Sequence, residues 1–252
     1  MGYAITDTML MSWRNLLHYV RVPQLIAFAV VQPIMFMVLF VYVFGGAISG
    51  SSAGYLAYLT PGIIVQTVIF GSMNSGISIA EDLQKGIMDR FRALPISRGV
   101  VLAARTTSDL LRHLIAVLIM AGVGYIMGYR FEGGLLDLAG AFGLIILVGL
   151  AFSWVAATIG LLVRDTQTAE IAGFTWIFPV VFASSIFVPV ETMPAWLQVF
   201  ASHSPISLAA NAARGFSLGN ADWAAAFQAT AWMLGITLVF AMLAVWRFRR
   251  LE

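Results

Sequence analysis

Long runs of apolar residues are the feature that most restricts how this chain can fold. A helix needs about 20 apolar residues to cross the hydrocarbon core of a bilayer. Six segments of the chain meet that requirement: residues 24–44, 56–79, 101–128, 138–163, 169–190 and 224–246. Charged residues make up only 10% of the sequence, whereas soluble domains usually carry about 25%. The sequence therefore predicts an all-α integral membrane protein with six transmembrane helices.

The third apolar segment is the least regular of the six. Arg105, Asp109, Arg112 and His113 occupy its first half, and its purely apolar stretch begins only at Leu114. We expect a long helix that starts in the cytoplasm and enters the membrane near Leu114. At mid-depth the six spans then hold almost no ionisable residue.

Basic residues predict the orientation of the spans. In a six-span arrangement, only Arg130 and Arg214 lie on one side of the membrane. The other twelve of the fourteen Lys and Arg residues share the opposite side: Arg14, Arg21, Lys85, Arg90, Arg92, Arg98, Arg105, Arg112, Arg164, Arg247, Arg249 and Arg250. Basic residues are retained on the cytoplasmic side. We therefore expect a multi-pass protein of a bacterial inner membrane with both termini in the cytoplasm and no cleaved signal peptide.

The N-terminal segment, residues 1–22, has the pattern of an amphipathic helix. Trp13 belongs to its apolar face, and Arg14, His18 and Arg21 share the opposite face. A basic amphipathic helix lies in the membrane surface with its cations towards the lipid headgroups. The pattern predicts either a helix beside a partner protein or a simple membrane anchor.

A second amphipathic segment lies between the second and third spans. Leu83, Ile87, Phe91 and Leu94 recur every three or four positions, and Pro95 ends the helical pattern. An apolar stripe between charged residues suits a helix that docks into a groove of a partner. A solvated basic loop is the alternative, although it does not account for the apolar stripe.

A third segment, residues 188–222, lies on the outer side. It is too polar to span the membrane and too apolar for an exposed loop. Pro189, Pro194 and Pro205 divide it, and MPAWLQVFA and ISLAANAARGF are helical candidates within it. Segments of this kind are usually re-entrant or interfacial. They predict either an exit gate or a packed outer lid.

The sequence contains no recognisable enzyme site. It has no GxxxxGK[ST] loop, so an ATP-driven process would need a separate ATPase polypeptide. Its three histidines are scattered and it has no cysteine, so no metal site is expected. Proton- or ion-coupled carriers usually need ionisable residues within the membrane. A self-sufficient channel or secondary carrier is therefore the less favoured alternative, and a scaffold protein is a third.

Two segments resemble a known family. AEDLQKGIMDRFRALPISRGVVLAAR and FVPVETMPAWLQVFASHSPISLAANAARGFSLG are similar to the segments after the second and fifth spans of ABC transporter type-2 permeases of the daunorubicin-resistance kind. Order and spacing agree along essentially the whole chain, 1–252, which we treat as one domain. The family's denser acidic start is here only Glu81-Asp82-Leu83-Gln84.

The resemblance implies how such a permease is coupled to its ATPase. Residues 80–99 would be a coupling helix, residues 1–22 an interface helix and residues 188–222 re-entrant helices. Two copies of an ABC-type ATPase, which bind the ATP and Mg, would drive two permease subunits, with a homodimer favoured and no role for nucleic acid. The coupling residues would be Glu81, Asp82, Lys85, Arg90, Phe91, Leu94, Pro95 and Ser97.

The resemblance also implies a substrate path between the two permeases, lined by their second and fifth spans. The residues expected along it are Gln66, Asn74, Phe174, Trp176, Phe178 and Phe182. Aromatic residues of the fifth span favour a lipophilic or amphiphilic substrate, such as a drug, antibiotic or lipid-like molecule. The expected activity is efflux by a subunit without its own ATPase site.

Overall fold

Helices account for most of the chain in the computed structural model, which describes residues 23–86, 98–163 and 165–249. The helices are α1 (Pro23–Leu39), α2 (Gly45–Ser49), α3 (Ser52–Gln84), α4 (Arg98–Met127), α5 (Leu135–Val163), α6 (Thr166–Phe182), α7 (Ala195–His203), α8 (Pro205–Ser217) and α9 (Trp223–Arg249). The predicted interface helix, with Trp13, Arg14, His18 and Arg21, lies outside the described residues.

Five stretches of the described residues are long and apolar enough to cross a membrane: Val31–Ser49, Ser52–Gln84, Asp109–Met127, Leu135–Val163 and Trp223–Phe248. They confirm the predicted first, second, third, fourth and sixth spans as apolar helices. The molecule is therefore a multi-pass, all-α protein over the part of the chain that the structure describes.

The predicted fifth span, 169–190, is shorter in the structure. Helix α6 ends at Phe182 after 17 residues, which is about 26 Å of helix. Two serines account for this end. The Ser184 hydroxyl donates to the carbonyl oxygen of Val181, and the backbone N–H of Ser185 donates to the Ser207 hydroxyl of α8 at 3.0 Å. The backbone N–H of Ser185 thus bonds outside the helix, and hydropathy does not reveal such a partner.

Helix α3 lies at the centre of the packing and touches α5 over much of its length. Small residues bring the two backbones together. A Cβ atom on Gly76 would overlap the carbonyl oxygen of Ala156, and one on Gly160 would overlap the carbonyl oxygen of Gly76. Small residues at such crossings allow membrane helices to approach closely, and here they make α3 and α5 one packed pair.

The first span contains a π-helical turn. Phe40–Phe44 form this turn between α1 and α2, with Val41 buried and Tyr42 and Val43 exposed. A π-helical turn holds one residue more than the α-helical turn that it replaces. Gly45 follows it and packs against Ser52 and Tyr55 at the start of α3.

Two short helices, α7 and α8, lie within residues 188–222, the segment predicted on the outer side and called the outer segment below. They match the two helical candidates that the prolines predicted. Helix α8 packs against α3, α5 and α9 through small buried residues such as Ala209, Ala210 and Ala213. The outer segment is therefore an integral part of the helical packing.

Candidate functional site

A continuous row of phenylalanine rings joins α1, α3 and α6. Helix spacing creates it, because residues four apart share one face of a helix. We refer to this row as the phenylalanine ladder, and its members are Phe36, Phe40, Phe44, Phe70, Phe174, Phe178, Phe182 and Phe187.

Each ring of the ladder lies next to at least one other ring, without a gap between them. The centroid of Phe178 lies 5.0 Å from that of Phe70 and 5.8 Å from that of Phe182. Phe187 then lies 4.8 Å from Phe182 and 4.7 Å from Phe40. Phe182 is 39% exposed. The ladder therefore presents apolar, polarisable rings at the protein surface along part of the membrane depth.

Gln66 and Asn74 flank Phe70 on α3, one turn to either side. Gln66 is completely buried, and neither of its side-chain amide atoms makes a hydrogen bond to a described residue. A buried amide without partners is energetically costly. Asn74 is exposed and donates to the carbonyl oxygen of Gly71. The structure thus places two neutral polar residues beside the ladder.

Trp176 lies apart from the other predicted path residues of α6. Its ring stacks on Phe152 of α5 at 6.2 Å and borders a cavity of about 410 Å³ between α5, α6, α8 and α9. The structure therefore brings Phe174, Phe178 and Phe182 together and separates Trp176 from them. Helical periodicity could have revealed this, because a residue two positions away points about 200° around the helix.

Arg214 of α8 connects the outer segment to α3. Its guanidinium donates to the carbonyl oxygens of Tyr58, Ser185 and Ile186 at 2.7, 2.6 and 2.9 Å and to Asn211 Oδ1 at 2.6 Å. It also lies 3.7 Å from the centroid of the Tyr58 ring. Only 6% of Arg214 is exposed. The charge pattern of the sequence predicts an outer cation at this position and does not reveal its buried contacts.

The predicted coupling segment, 80–99, begins inside α3. Glu81 and Asp82 belong to the last turn of that helix, which ends at Gln84. The next residues are Lys85 and Gly86, whose φ is +64°, the left-handed conformation that glycine provides at helix ends. The segment ends inside α4, which starts at Arg98. Arg90, Phe91, Leu94, Pro95 and Ser97 lie outside the described residues.

Side chains at this end of α3 contact each other and the turn between α5 and α6. Glu81 forms an exposed ion pair with Lys85, and its hydrogen bond and charge raise the pKa of Lys85. Gln84 donates to Asp165 at 3.1 Å and accepts from the hydroxyl of Thr166 at 2.9 Å. The end of α3 is therefore fastened to the start of α6.

Comparison with known proteins decides the family. The profile of the ABC-2 type transporter family matches residues 6–218. The chain belongs to this family. It is 32% identical over 246 residues to the daunorubicin resistance ABC transporter permease protein DrrB1 of Streptomyces coeruleorubidus, covering 98% of this chain and 87% of that one. It is 28% identical over 247 residues to the "Probable doxorubicin resistance ABC transporter permease protein DrrC" of Mycobacterium tuberculosis, covering 98% and 89%.

The predicted resemblance to ABC type-2 permeases is thereby confirmed. The chain is an ABC-2 permease, and the two relatives named above are permease proteins of daunorubicin or doxorubicin resistance. Among the described residues of this ABC-2 permease, no three His, Cys, Asp or Glu side chains form a group that could hold a metal ion.

One polar cluster of the permease was missing from the sequence-based site. It lies where α3, α4 and α5 meet, and we call it the three-helix junction. Its members are Ser72 and Ser75 of α3, Asp109, Arg112 and His113 of α4, and Ser153 of α5. Asp109 and His113 are only 6% and 1% exposed. Asp109 and His113 are therefore packed between helices, although they precede the purely apolar stretch that begins at Leu114.

Proposed function

We propose that this chain is the membrane-spanning subunit of an ATP-driven exporter of a lipophilic or amphiphilic substrate, such as a drug, antibiotic or lipid-like molecule. The substrate would leave the cytoplasm or the inner leaflet, and a separate ATPase would supply the energy. The phenylalanine ladder carries this proposal. Stacked and tilted aromatic rings bind flat apolar molecules well, and the ladder extends along the membrane-spanning helices α1, α3 and α6.

A second copy of the chain would complete the substrate path. The ladder is partly exposed in one copy, as are neighbouring apolar residues of α1 such as Met35 and Val38. Exposed apolar rows in a membrane protein face either lipid or another subunit. With two copies facing each other, Phe174, Phe178 and Phe182 of both would border one channel. The exposed Asn74 would supply a hydrogen bond to the polar part of an amphiphile, whereas Gln66 is completely buried in one copy. A homodimer fits this arrangement.

Helix α6 would be the fifth span and bring the total to six. Its 17 residues are at the lower limit of what can cross a bilayer, and the 183–188 segment would extend it towards the outer surface. The six spans would cross a bacterial inner membrane. Because twelve basic residues lie on one side of these spans, that side would be the cytoplasm, and both termini would lie there. Helices α7 and α8 would then form the re-entrant region that borders the outer exit.

Coupling would occur at the cytoplasmic ends of α3 and α4. Residues 80–99 and 1–22 would contact two ATPase copies, which bind ATP and Mg. Glu81, Asp82 and Lys85 provide charge at the end of α3, and the predicted contact residues Leu94 and Pro95 follow later in the sequence. Because α3 carries Phe70 and Asn74 further along, a movement of its cytoplasmic end would reach the path directly.

Purification of the chain in mild detergent from its native membrane tests whether an ATPase is its partner. We expect an ATPase with a Walker motif to co-purify in about equal amount, and Leu94→Asp to remove it. Val199→Asp is the matched control, because Val199 is an exposed apolar residue of the outer helix α7. If no ATPase co-purifies and the chain moves solutes without ATP, a channel or secondary carrier is the correct assignment.

Alanine substitutions test the path. Phe178→Ala should change the order of preference in a panel of exported amphiphiles, whereas Phe227→Ala should not, because Phe227 is an exposed residue of α9 outside the ladder. Trp176→Ala distinguishes the two faces of α6. If it changes preference and Phe178→Ala does not, the substrate passes through the cavity beside Trp176 instead of along the ladder.

A further inference from the structure

We infer that the three-helix junction fastens α4 to α3 and α5, so that a displacement at the cytoplasmic end of α4 moves the path-lining helix α3. Asp109 and His113 are thus positioning residues for transport. This inference rests on the proposed function, because it takes the segment before α4 as the ATPase contact.

Asp109 and Arg112 of the junction bond α4 to α3. Asp109 accepts a hydrogen bond from the Ser75 hydroxyl at 2.5 Å, and Arg112 donates to the carbonyl oxygen of Gly71 at 2.9 Å. Arg112 also pairs with Asp109 at 3.0 Å, so the acid and the base neutralise each other. Buried charges are stable only when they are paired and hydrogen-bonded in this way.

His113 joins all three helices at one atom. Its Nε2 lies 3.3 Å from the hydroxyl oxygens of both Ser72 and Ser153. Ser72 has a single proton, and its oxygen lies 2.8 Å from the carbonyl oxygen of Val68. Ser72 can donate this proton to Val68 or to the carbonyl oxygen of Gly149 at 3.1 Å. In both cases the Ser72 oxygen accepts from His113, so the imidazole tautomer with its proton on Nε2 donates one hydrogen bond that Ser72 and Ser153 share.

The fit around His113 is tight because α5 has a glycine opposite it. A Cβ atom on Gly149 would lie 2.7 Å from Cδ2 of His113 and 2.6 Å from Cγ1 of Val68. Any side chain at position 149 would therefore push the imidazole away from Ser153. At Gly143, six residues earlier on α5, such a Cβ atom would have nothing within 4 Å. The two glycines form a matched pair for testing the junction.

Helix α4 connects the junction to the segment that precedes Arg98. It runs without interruption from Arg98 to Met127, and His113 lies about 22 Å along it from Arg98. On α3, Ser72 and Ser75 flank Asn74, which faces the proposed path on the other side of the helix. A shift transmitted at the junction therefore reaches the path at the same depth, within one helical turn.

The test compares four variants in the complete permease–ATPase complex, reconstituted into vesicles with daunorubicin as the probe. His113→Leu and Gly149→Ala should keep the ATPase bound and hydrolysing ATP, but export at least about five-fold less daunorubicin per ATP, as expected when a coupling contact is lost. His113→Gln keeps a donor near the Nε2 position and should restore most of the export. Gly143→Ala should behave as wild type. Unchanged export per ATP in His113→Leu overturns the inference.

A distance measurement separates this inference from the proposed function. The chain has no cysteine, so spin labels can be placed on Leu111→Cys of α4 and Leu162→Cys of α5, both exposed positions. His113→Leu should broaden the distance distribution between the labels relative to the otherwise wild-type pair. If wild type recruits no ATPase and exports nothing, the proposed function fails. An unchanged distribution in His113→Leu would show that the junction does not fasten the helices.

Discussion

Replacement of Arg214 by lysine should destabilise the permease, although the charge is kept. The guanidinium reaches carbonyl oxygens of Tyr58, Ser185 and Ile186 in different directions. A lysine ammonium is a single point donor and cannot bond all of them. Of these three bonds to carbonyl oxygens, we expect the lysine to keep one and to lose two. Each hydrogen bond from a charged group contributes about 1.5–3 kcal/mol, and allowing for local relaxation the free energy of unfolding should fall by about 3–4 kcal/mol.

Thermal unfolding followed by the fluorescence of the seven tryptophans measures this effect. For a chain of this size, each kcal/mol lowers the midpoint temperature by about 2–4 °C, so Arg214→Lys should lower it by roughly 10 °C.

Arg130→Lys is the matched control, because Arg130 also lies over a tyrosine ring, at 4.1 Å from the centroid of Tyr125, and donates to two backbone carbonyls. Arg130 is exposed, so water can replace its bonds and the midpoint should hardly change. Equal midpoints for the two lysine variants would refute the idea that burial makes Arg214 a structural residue.

Two further predictions concern the α3–α5 contact and the start of α6. Gly76→Ala should lower stability by about 1–3 kcal/mol through overlap with Ala156, whereas Gly143→Ala should be neutral or slightly stabilising; equal effects would contradict the close backbone contact. The hydroxyl and backbone N–H of Thr168 donate to Asp165 and hold the pKa of that carboxyl below its usual 3.8. A lowered folded pKa means stability that is present at neutral pH and lost as the pH falls below about 3.8. The unfolding midpoints of wild type and Asp165→Ala should therefore converge at acid pH, and a gap independent of pH would count against this cap.

Hydropathy and helix-breaking residues were sufficient to predict most of the helices. The apolar runs correspond to real helices because a bilayer leaves the backbone few other ways to bond its polar groups. Pro194 and Pro205 marked the starts of α7 and α8, where proline is compatible with the first helical turn. The end of α6 was missed because it depends on Ser184 and on a bond from Ser185 to Ser207, which is distant in sequence.

The candidate site was only partly visible in the sequence. Phe174, Phe178 and Phe182 share a face by simple periodicity, but their contacts with Phe70 and Phe187 depend on which helices are neighbours. The same is true of His113, whose partners Ser72 and Ser153 belong to two other helices. In the sequence alone, this histidine lies at the edge of an apolar run, which predicts a position in the cytoplasm. Tertiary packing instead supplies hydroxyl partners that make its burial possible.

The π-helical turn at Phe40–Phe44 has a consequence for how the length of this protein can change during evolution. Such a turn accommodates one extra residue locally, so deletion of one residue there would convert it into an ordinary α-helical turn. Phe36 before it and Gly45 after it would keep their present neighbours. A deletion elsewhere in the first span would rotate everything beyond it by about 100°. Single-residue length differences between related permeases should therefore be tolerated at this turn and selected against in the rest of the span.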